Sequence, residues 1–201
     1  AALARAAWEL LIHRMHTPDA RPQRVVFAAT QVAGASILAA RAIMSSGPTT
    51  SNSMTTTTDA DAHRYLDFAL ALAERAGDAI LPHFRQAITV DDKGGADGYD
   101  PVTVADRGAE TIIRAGIAKT FPAHGILGEE HGRQAGTSAY TWVIDPIDGT
   151  RSFILGQMHW ATLIALRDEA RPIVGVAHQP YVGESFVAIA GGDAEWRRGN
   201  E

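Results

Sequence analysis

The sequence predicts an α+β fold in which helices pack on one face of a mainly antiparallel sheet. Two segments with helical spacing of apolar residues come first, and short apolar segments separated by turn residues follow them. This order is typical of an α+β layer, because consecutive strands pair with one another and leave a face for the helices. Apolar residues make up 46% of the 201 residues, which is enough to build a core.

The N-terminal part of the chain does not share this pattern and is predicted to lie outside the fold. Residues 25–40 are apolar, but they are too few and too interrupted by polar side chains for a membrane-spanning helix. Residues 46–58 are mostly Ser and Thr, which indicates a disordered linker, and Met54 within it is a candidate translation start. We therefore divide the chain into an extension, 1–58, and a folded part, 59–201.

Two helices are predicted at the start of the folded part. The first begins near Asp59, and its apolar stripe consists of Leu66, Leu70, Ala73, Ala76, Ile80, Leu81 and Phe84. A glycine-rich polar loop over 91–100 follows it. The second helix begins near Thr103, which matches the capping-box spacing with Asp106, and it ends before Pro122. Its apolar face comprises Ile112, Ile113 and Ile117.

Five short apolar segments predict the strands of the sheet. They cover residues 125–130, 140–145, 160–166, 172–180 and 184–190. The third and fourth flank a polar turn and are predicted to form a hairpin. The first two each run into acidic residues.

Acidic pairs at the ends of apolar segments form the most informative pattern. These pairs are Asp100 with Asp106, Glu129 with Glu130, and Asp145 with Asp148. Buried carboxylates are costly unless a positive charge compensates them. Carboxylates without His or Cys ligands suit Mg²⁺ or Mn²⁺, and several of them can hold two ions for phosphoryl chemistry. A single such pair is more often a helix cap or a solvated turn, so their joint occurrence carries the interpretation.

The segment after Asp145 adds the features of an anion site. Pro146 restricts the backbone between the two aspartates, and Asp148-Gly149 predicts a sharp turn before a short helix that starts at Thr150. Free N–H groups at that helix start would face a phosphate. The Thr150 hydroxyl could hold or deprotonate a water with an acidic neighbour.

Composition and spacing disfavour other classes of protein. The net charge of −5 argues against nucleic acid as a partner, and the chain has no cysteine for thiol chemistry or cysteine-bound metals. We expect a cytoplasmic location. A haloacid dehalogenase would need an aspartate at position 146, where proline stands. Ser152 and Ser185 have no obvious histidine-acid partner, which disfavours a serine hydrolase. We expect surface or packing roles for His131, His159 and His178, and core positions for Trp142 and Trp160.

Three ordered motifs resemble the inositol monophosphatase family: DPVTVAD at 100–106, GEEHG at 128–132 and WVIDPIDGT at 142–150. The resemblance runs from about Tyr65 to about Ala190. It implies a layered αβαβα fold and a Mg²⁺-dependent phosphomonoesterase with about two or three bound ions. It also implies a small phosphorylated metabolite as substrate and a homodimer as a candidate assembly, with neither nucleic acid nor membrane as a partner.

The resemblance implies a role for each motif residue. The metal ligands would be Glu129, Asp145, Asp148 and the carbonyl of Ile147, with Asp145 bridging two ions. The attacking water would be activated by Asp106 and Thr150, with Glu130 as a supporting acid. The phosphate would be bound by Asp148, Gly149, Thr150 and Lys93.

Within the family, GEEHG, DPIDGTRSF and HQPYVGE look most like the bacterial histidinol-phosphate phosphatase branch, which acts in histidine biosynthesis. Inositol-type members more often carry Asn where Ser152 stands, and inositol 1-phosphate or another sugar phosphate is the alternative substrate. The family pattern also has a later W-D motif, whereas Trp196 here precedes Arg197. We therefore expect a truncated C-terminal α/β layer and a poorly stable or weakly active chain. A catalytically incomplete fragment is the third alternative.

Overall fold

The computed structural model describes residues 57–93, 101–168 and 171–199. The predicted extension up to residue 56, Asp100 and most of the glycine-rich loop lie outside the described residues. The helices are α1 (Asp59–Ile80), α2 (Val104–Thr120) and α3 (Thr150–Ile154), and a 3₁₀ turn at Leu81–His83 follows α1. The strands are β1 (Val90–Asp92), β2 (Pro101–Thr103), β3 (Gly125–Gly128), β4 (Gly132–Gln134), β5 (Tyr140–Asp148), β6 (Ala161–Asp168), β7 (Arg171–Gln179), β8 (Glu184–Ile189) and β9 (Ala194–Arg198).

Helix α1 begins with a side-chain cap and buries a broad face. The Thr58 hydroxyl accepts a hydrogen bond from the N–H of Asp61 at 3.1 Å, which satisfies one of the free donors of the first turn. Leu70, predicted in the apolar stripe, is only half-buried, while Leu81 and Phe84 lie beyond the helix end. The buried face is wider than the predicted stripe and consists of Ala62, Tyr65, Leu66, Ala69, Leu72, Ala73, Ala76, Gly77 and Ile80.

Seven strands form one sheet in the order β4-β3-β5-β6-β7-β8-β9. Only β3 and β5 pair in parallel in this described sheet, and all its other neighbours are antiparallel. The predicted hairpin of β6 and β7 and the predicted α+β class are confirmed. Strands β1, β2, β4 and β9 were not predicted, because segments of 3 to 5 residues are too short to show a period.

Helices α1 and α2 pack on the sheet around an aromatic core. Trp142 of β5 is fully buried, and its Nε1–H donates to Nδ1 of His124 at 3.1 Å. Tyr65 and Phe121 lie against the Trp142 ring, with centroid separations of 6.3 and 5.7 Å. Trp160 is also buried, so the core placement predicted for both tryptophans is confirmed. This packing fixes β5, whose C-terminal end carries the acidic residues.

The opposite face of the sheet carries a second, smaller apolar cluster. It consists of Leu163, Ala177 and Phe186, with Ala161 and Trp196 partly buried against them. None of the helices α1 to α3 combines the length and the apolar character that crossing a bilayer requires.

Candidate active site

A β-bulge at the end of β5 brings both predicted aspartates to one side of the sheet. Asp145 pairs with Leu163 and Asp148 pairs with Ala161, so three steps along β5 match two steps along β6. Residues three apart point to opposite faces of a regular strand, and one extra residue returns them to a common face. The strand was predicted to end at Asp145. It continues to Asp148, because Pro146 lies in the bulge, where a missing N–H is tolerated.

Glu129 reaches the same place from the neighbouring strand. Because β3 and β5 are parallel and Gly128 pairs with Ile144, their C-terminal ends lie side by side. The N–H of Glu129 donates to the carbonyl of Ile144 at 3.3 Å. Burial, together with repulsion from Glu129 and Asp148, raises the pKa of Asp145 well above its ordinary value. Burial and the Glu129 charge raise the pKa of Asp148 to about 6.

The Oδ1 atom of Asp145 is buried and has no hydrogen-bond partner among the described residues. A buried carboxylate oxygen without a donor is costly, and a bound cation removes that cost. The neighbouring ligand atoms are carboxylate oxygens of Glu129 and Asp148, which suit a hard cation such as Mg²⁺. No group of three His, Cys, Asp or Glu side chains in the described ranges is already arranged to hold a metal ion. Carboxylates repel one another until a cation lies between them. These oxygen ligands therefore fit Mg²⁺, and their side chains would draw together as the ion binds.

Asp106 is held at the start of α2 by its own capping box. Its Oδ2 accepts hydrogen bonds from the N–H of Thr103, at 2.8 Å, and from the Thr103 hydroxyl, which confirms the predicted box. Its Oδ1 lies 3.3 Å from Oγ1 of Thr150. Burial raises the pKa of Asp106, although the hydrogen bonds from Thr103 and Thr150 oppose the shift. The cap therefore leaves one carboxylate oxygen directed at Thr150.

Thr150 begins α3, which confirms the short helix predicted there. Its Oγ1 lies 2.9 Å from the carbonyl oxygen of Ile147 and 3.3 Å from Oδ1 of Asp106, so one hydroxyl proton has two acceptors. Gly149 precedes it with a φ of 95°, and a Cβ there would lie 2.5 Å from the carbonyl oxygen of His159. Only glycine fits this turn, and the turn places Thr150 opposite Asp106.

Lys93 brings positive charge to the acidic cluster. Its Nζ lies 2.8 Å from Oε1 of Glu130 and 3.7 Å from Oε1 of Glu129. Burial raises the pKa of Glu130 above its ordinary value, although the hydrogen bond and the charge of Lys93 partly offset the rise. The predicted site residues thus come together from five parts of the described chain, while the phosphate-binding role of Lys93 stays a prediction.

Sequence reasoning missed Glu110, a fully buried carboxylate on α2. It accepts hydrogen bonds from the N–H groups of Glu130 and His131 and from Nε of Arg114. His131, expected to be a surface or packing residue, places its Nδ1 3.3 Å from Glu110. Helical spacing could have revealed this position, because the buried face of α2 runs through Asp106, Glu110, Ile113 and Ile117.

Ser185 has a histidine neighbour that the sequence did not reveal. His178 and Ser185 face each other across β7 and β8, and Nδ1 of His178 lies 2.8 Å from Oγ of Ser185. Ser185 therefore has a histidine beside it, while the expectation that it lacks a histidine-acid pair for a serine hydrolase stays a prediction. Both side chains are buried, and burial lowers the pKa of His178. A buried hydroxyl cannot meet a substrate, so the pair has a packing role.

Comparison with known proteins gives consistent matches over the described part of the chain. The profile of the Inositol monophosphatase family matches residues 61–198. The histidinol-phosphatase of Chlorobaculum parvum is 43% identical over 130 residues, which are 64% of this chain and 49% of that protein. The bifunctional phosphatase IMPL2, chloroplastic, of Arabidopsis thaliana is 38% identical over 66% of this chain and 38% of its own length. The Nus factor SuhB of Escherichia coli K12 is 38% identical over 66% of this chain and 50% of its own.

Solved structures show the same fold. An inositol monophosphatase from Zymomonas mobilis is 38% identical, with a TM-score of 0.56, over 67% of this chain and 51% of that chain. The Thermotoga maritima IMPase is 32% identical, with a TM-score of 0.61, over 67% of this chain and 52% of that chain. The chain therefore spans about half the length of these solved structures and half or less of the curated relatives above.

Proposed function

The chain belongs to the inositol monophosphatase family, and we propose on this basis that it carries the site of a Mg²⁺-dependent phosphomonoester hydrolase. The observation that supports the proposal is the buried Oδ1 of Asp145, which has no partner in the described structure and lies beside Glu129 and Asp148. Three carboxylates that repel one another destabilise the fold unless a cation joins them. A purely structural role gives no reason to place a buried carboxylate oxygen of Asp145 beside two further carboxylates.

The groups that would hold the ions are Glu129, Asp145, Asp148 and the carbonyl of Ile147. Bound Mg²⁺, or Mn²⁺ in its place, would neutralise the phosphate charge and acidify the attacking water. A third ion and further ligands are part of the family resemblance and are not required by these four donors.

Asp106 and Thr150 would remove a proton from the attacking water. With the Thr150 hydroxyl donating toward Oδ1 of Asp106, the Oγ1 lone pairs can accept a hydrogen bond from that water. Because burial raises the pKa of Asp106, this carboxylate is a better proton acceptor near neutral pH than an exposed one. Glu130, held by Lys93, would support the pair as a second acid. The backbone N–H groups of Gly149 and Thr150 would contact the phosphate.

Histidinol phosphate is the proposed substrate, which would place the reaction in histidine biosynthesis. The support is the motif resemblance and the similarity to the histidinol-phosphatase of C. parvum. Inositol 1-phosphate or another sugar phosphate is the second candidate, supported by the similarity to the Z. mobilis inositol monophosphatase. A chain without turnover is the third, supported by its span of about half of such relatives.

The test is phosphate release by the chain with Mg²⁺, offered histidinol phosphate and inositol 1-phosphate side by side. We expect Mg²⁺-dependent release, with histidinol phosphate preferred, and its loss in Asp145→Asn. The matched control is Asp67→Asn, which alters an exposed aspartate of α1 and should leave release unchanged. Equal release by wild type and Asp145→Asn would contradict the proposed site, and silence on both substrates would favour the chain without turnover.

A cytoplasmic location and a homodimer belong to the same proposal. Both are supported only by the family resemblance and by the composition of the chain. Cell fractionation tests the location, and light scattering of the purified chain tests the assembly.

A further inference from the structure

We propose that Glu110 and Arg114 of α2, called the α2 clamp below, position the loop 129–131 so that the Glu129 carboxylate can bind metal. This inference rests on the proposed function. Neither clamp residue lies in the three sequence motifs, and both act through the loop backbone rather than on a ligand.

The clamp ties consecutive backbone groups of the loop to α2. The N–H of Glu130 donates to Oε2 of Glu110 at 2.7 Å, and the N–H of His131 donates to Oε1 at 3.1 Å. Arg114 donates its Nε–H to Oε1 of Glu110 at 2.7 Å, and its second guanidinium nitrogen donates to the carbonyl of Gly132. The backbone of this loop is therefore fixed through the N–H groups of Glu130 and His131, and the adjoining Gly132 is fixed through its carbonyl.

The packing beneath the loop shows that the Glu110 carboxylate lies directly against the backbone. A Cβ added at Gly128 would lie 2.0 Å from Oε1 of Glu110 and 2.8 Å from the Arg114 guanidinium. No side chain other than hydrogen fits between α2 and the chain at this point. Gly128 thus permits the close approach that the two hydrogen bonds need.

The ionic character of the clamp explains why a carboxylate occupies this position. Two neighbouring N–H groups and a guanidinium need two acceptor oxygens, and a glutamine would offer one oxygen and a competing donor. Arg114 balances the charge of the fully buried Glu110, so the clamp adds no net charge to an already acidic cluster. A buried ion pair is seldom more stabilising than apolar packing, so stability alone does not account for it.

The geometric consequence concerns the direction of the neighbouring carboxylates. The N–H of Glu129 is held by Ile144, and the next two N–H groups are held by Glu110. With three successive backbone groups fixed, the side chain of Glu129 is held beside Asp145 and that of Glu130 beside Lys93. Ligands held in this way by outer residues bind metal more tightly than ligands on a mobile loop.

The test compares Glu110→Gln with Ile117→Val, a buried substitution on the same helix that leaves the loop contacts intact. Amide hydrogen exchange of Glu130 and His131 is measured without metal, and Mn²⁺ affinity is measured by calorimetry. We expect Glu110→Gln to accelerate exchange at both amides and to raise the Kd for Mn²⁺ about 10- to 100-fold. Ile117→Val should lower the melting temperature and change neither quantity.

Unchanged Mn²⁺ affinity in Glu110→Gln would overturn the inference, even if its melting temperature falls. Should that variant fail to fold, Arg114→Lys keeps the charge but loses the fork that spans Glu110 and Gly132, and it supports the same comparison. If the wild-type chain binds no Mn²⁺ and releases no phosphate, the proposed function fails. The part of this inference that concerns metal affinity then fails as well. If the amides of Glu130 and His131 exchange slowly in the wild type and rapidly in Glu110→Gln, the clamp on the loop would still be established.

Discussion

Replacing Asp148 by Asn should stabilise the metal-free chain at neutral pH. Burial and the Glu129 charge raise the pKa of Asp148 from its ordinary value of 3.8 to about 6. The folded state therefore binds this proton more tightly than the unfolded state. The resulting stabilisation is fully present below the unfolded pKa and is lost as the pH rises through the folded pKa. A shift of about 2 pH units corresponds to about 3 kcal/mol over the whole range.

The assay is urea unfolding of wild type and Asp148→Asn in the presence of a chelator. Between about pH 5 and about pH 7.5, a folded pKa of about 6 removes about 1.4 kcal/mol of the Asp148 contribution. The stability of the variant relative to wild type should therefore rise by that amount at the higher pH. Asp67→Asn, which alters an exposed aspartate on α1, is the matched control.

Mg²⁺ should reverse the preference between wild type and Asp148→Asn. At a concentration about 100 times its Kd, a bound ion adds about 2.7 kcal/mol to the folded state. Wild type should gain this stabilisation, and the variant should gain much less because it lacks a proposed ligand. A variant that is less stable than wild type at neutral pH with chelator, or equally stabilised by Mg²⁺, would refute the reasoning.

Three further predictions concern Gly128 at the end of β3, His124 in the core and the hydroxyl of Thr150. Gly128→Ala should lower the free energy of unfolding by about 1–3 kcal/mol, because its Cβ meets Glu110, and calorimetric melting checks this. Burial lowers the pKa of His124, so the contribution of His124 to stability should fall as the pH drops below about 6.5, and urea unfolding should show the stability of wild type falling relative to His124→Asn over that range. Thr150→Ala should reduce kcat for phosphate release about 10²- to 10⁴-fold, while Thr150→Ser retains most of it, provided that the chain is active.

Features that depend on neighbours in sequence could be predicted directly. The capping box of Thr103 and Asp106 needs only a spacing of three residues, and the structure has it. The hairpin of β6 and β7 likewise follows from two apolar segments around one polar turn. The acidic residues were identified by type and by their place at strand ends.

Features that depend on register or on distant segments could not be predicted. The bulge that aligns Asp145 with Asp148 appears only when β5 is paired with β6. The contact of His178 with Ser185 requires the register of β7 and β8. Helical spacing places Glu110 on the buried face of α2, but only the approach of the loop after β3 makes its carboxylate an acceptor for backbone N–H groups.

The parallel pairing of β3 with β5 affects the order in which a refolding chain regains its helices and its affinity for divalent ions. Helices form from contacts within a few residues, whereas β3 and β5 join residues 16 apart (141 minus 125), such as Gly125 with Thr141. Glu129 and Asp145 meet only once that pairing exists. A refolding chain would therefore regain its helical circular dichroism before it gains affinity for divalent ions. Ion binding is then a late reporter of correct sheet assembly, and a chain with native helical content but no ion affinity would be one in which β3 has not yet joined β5.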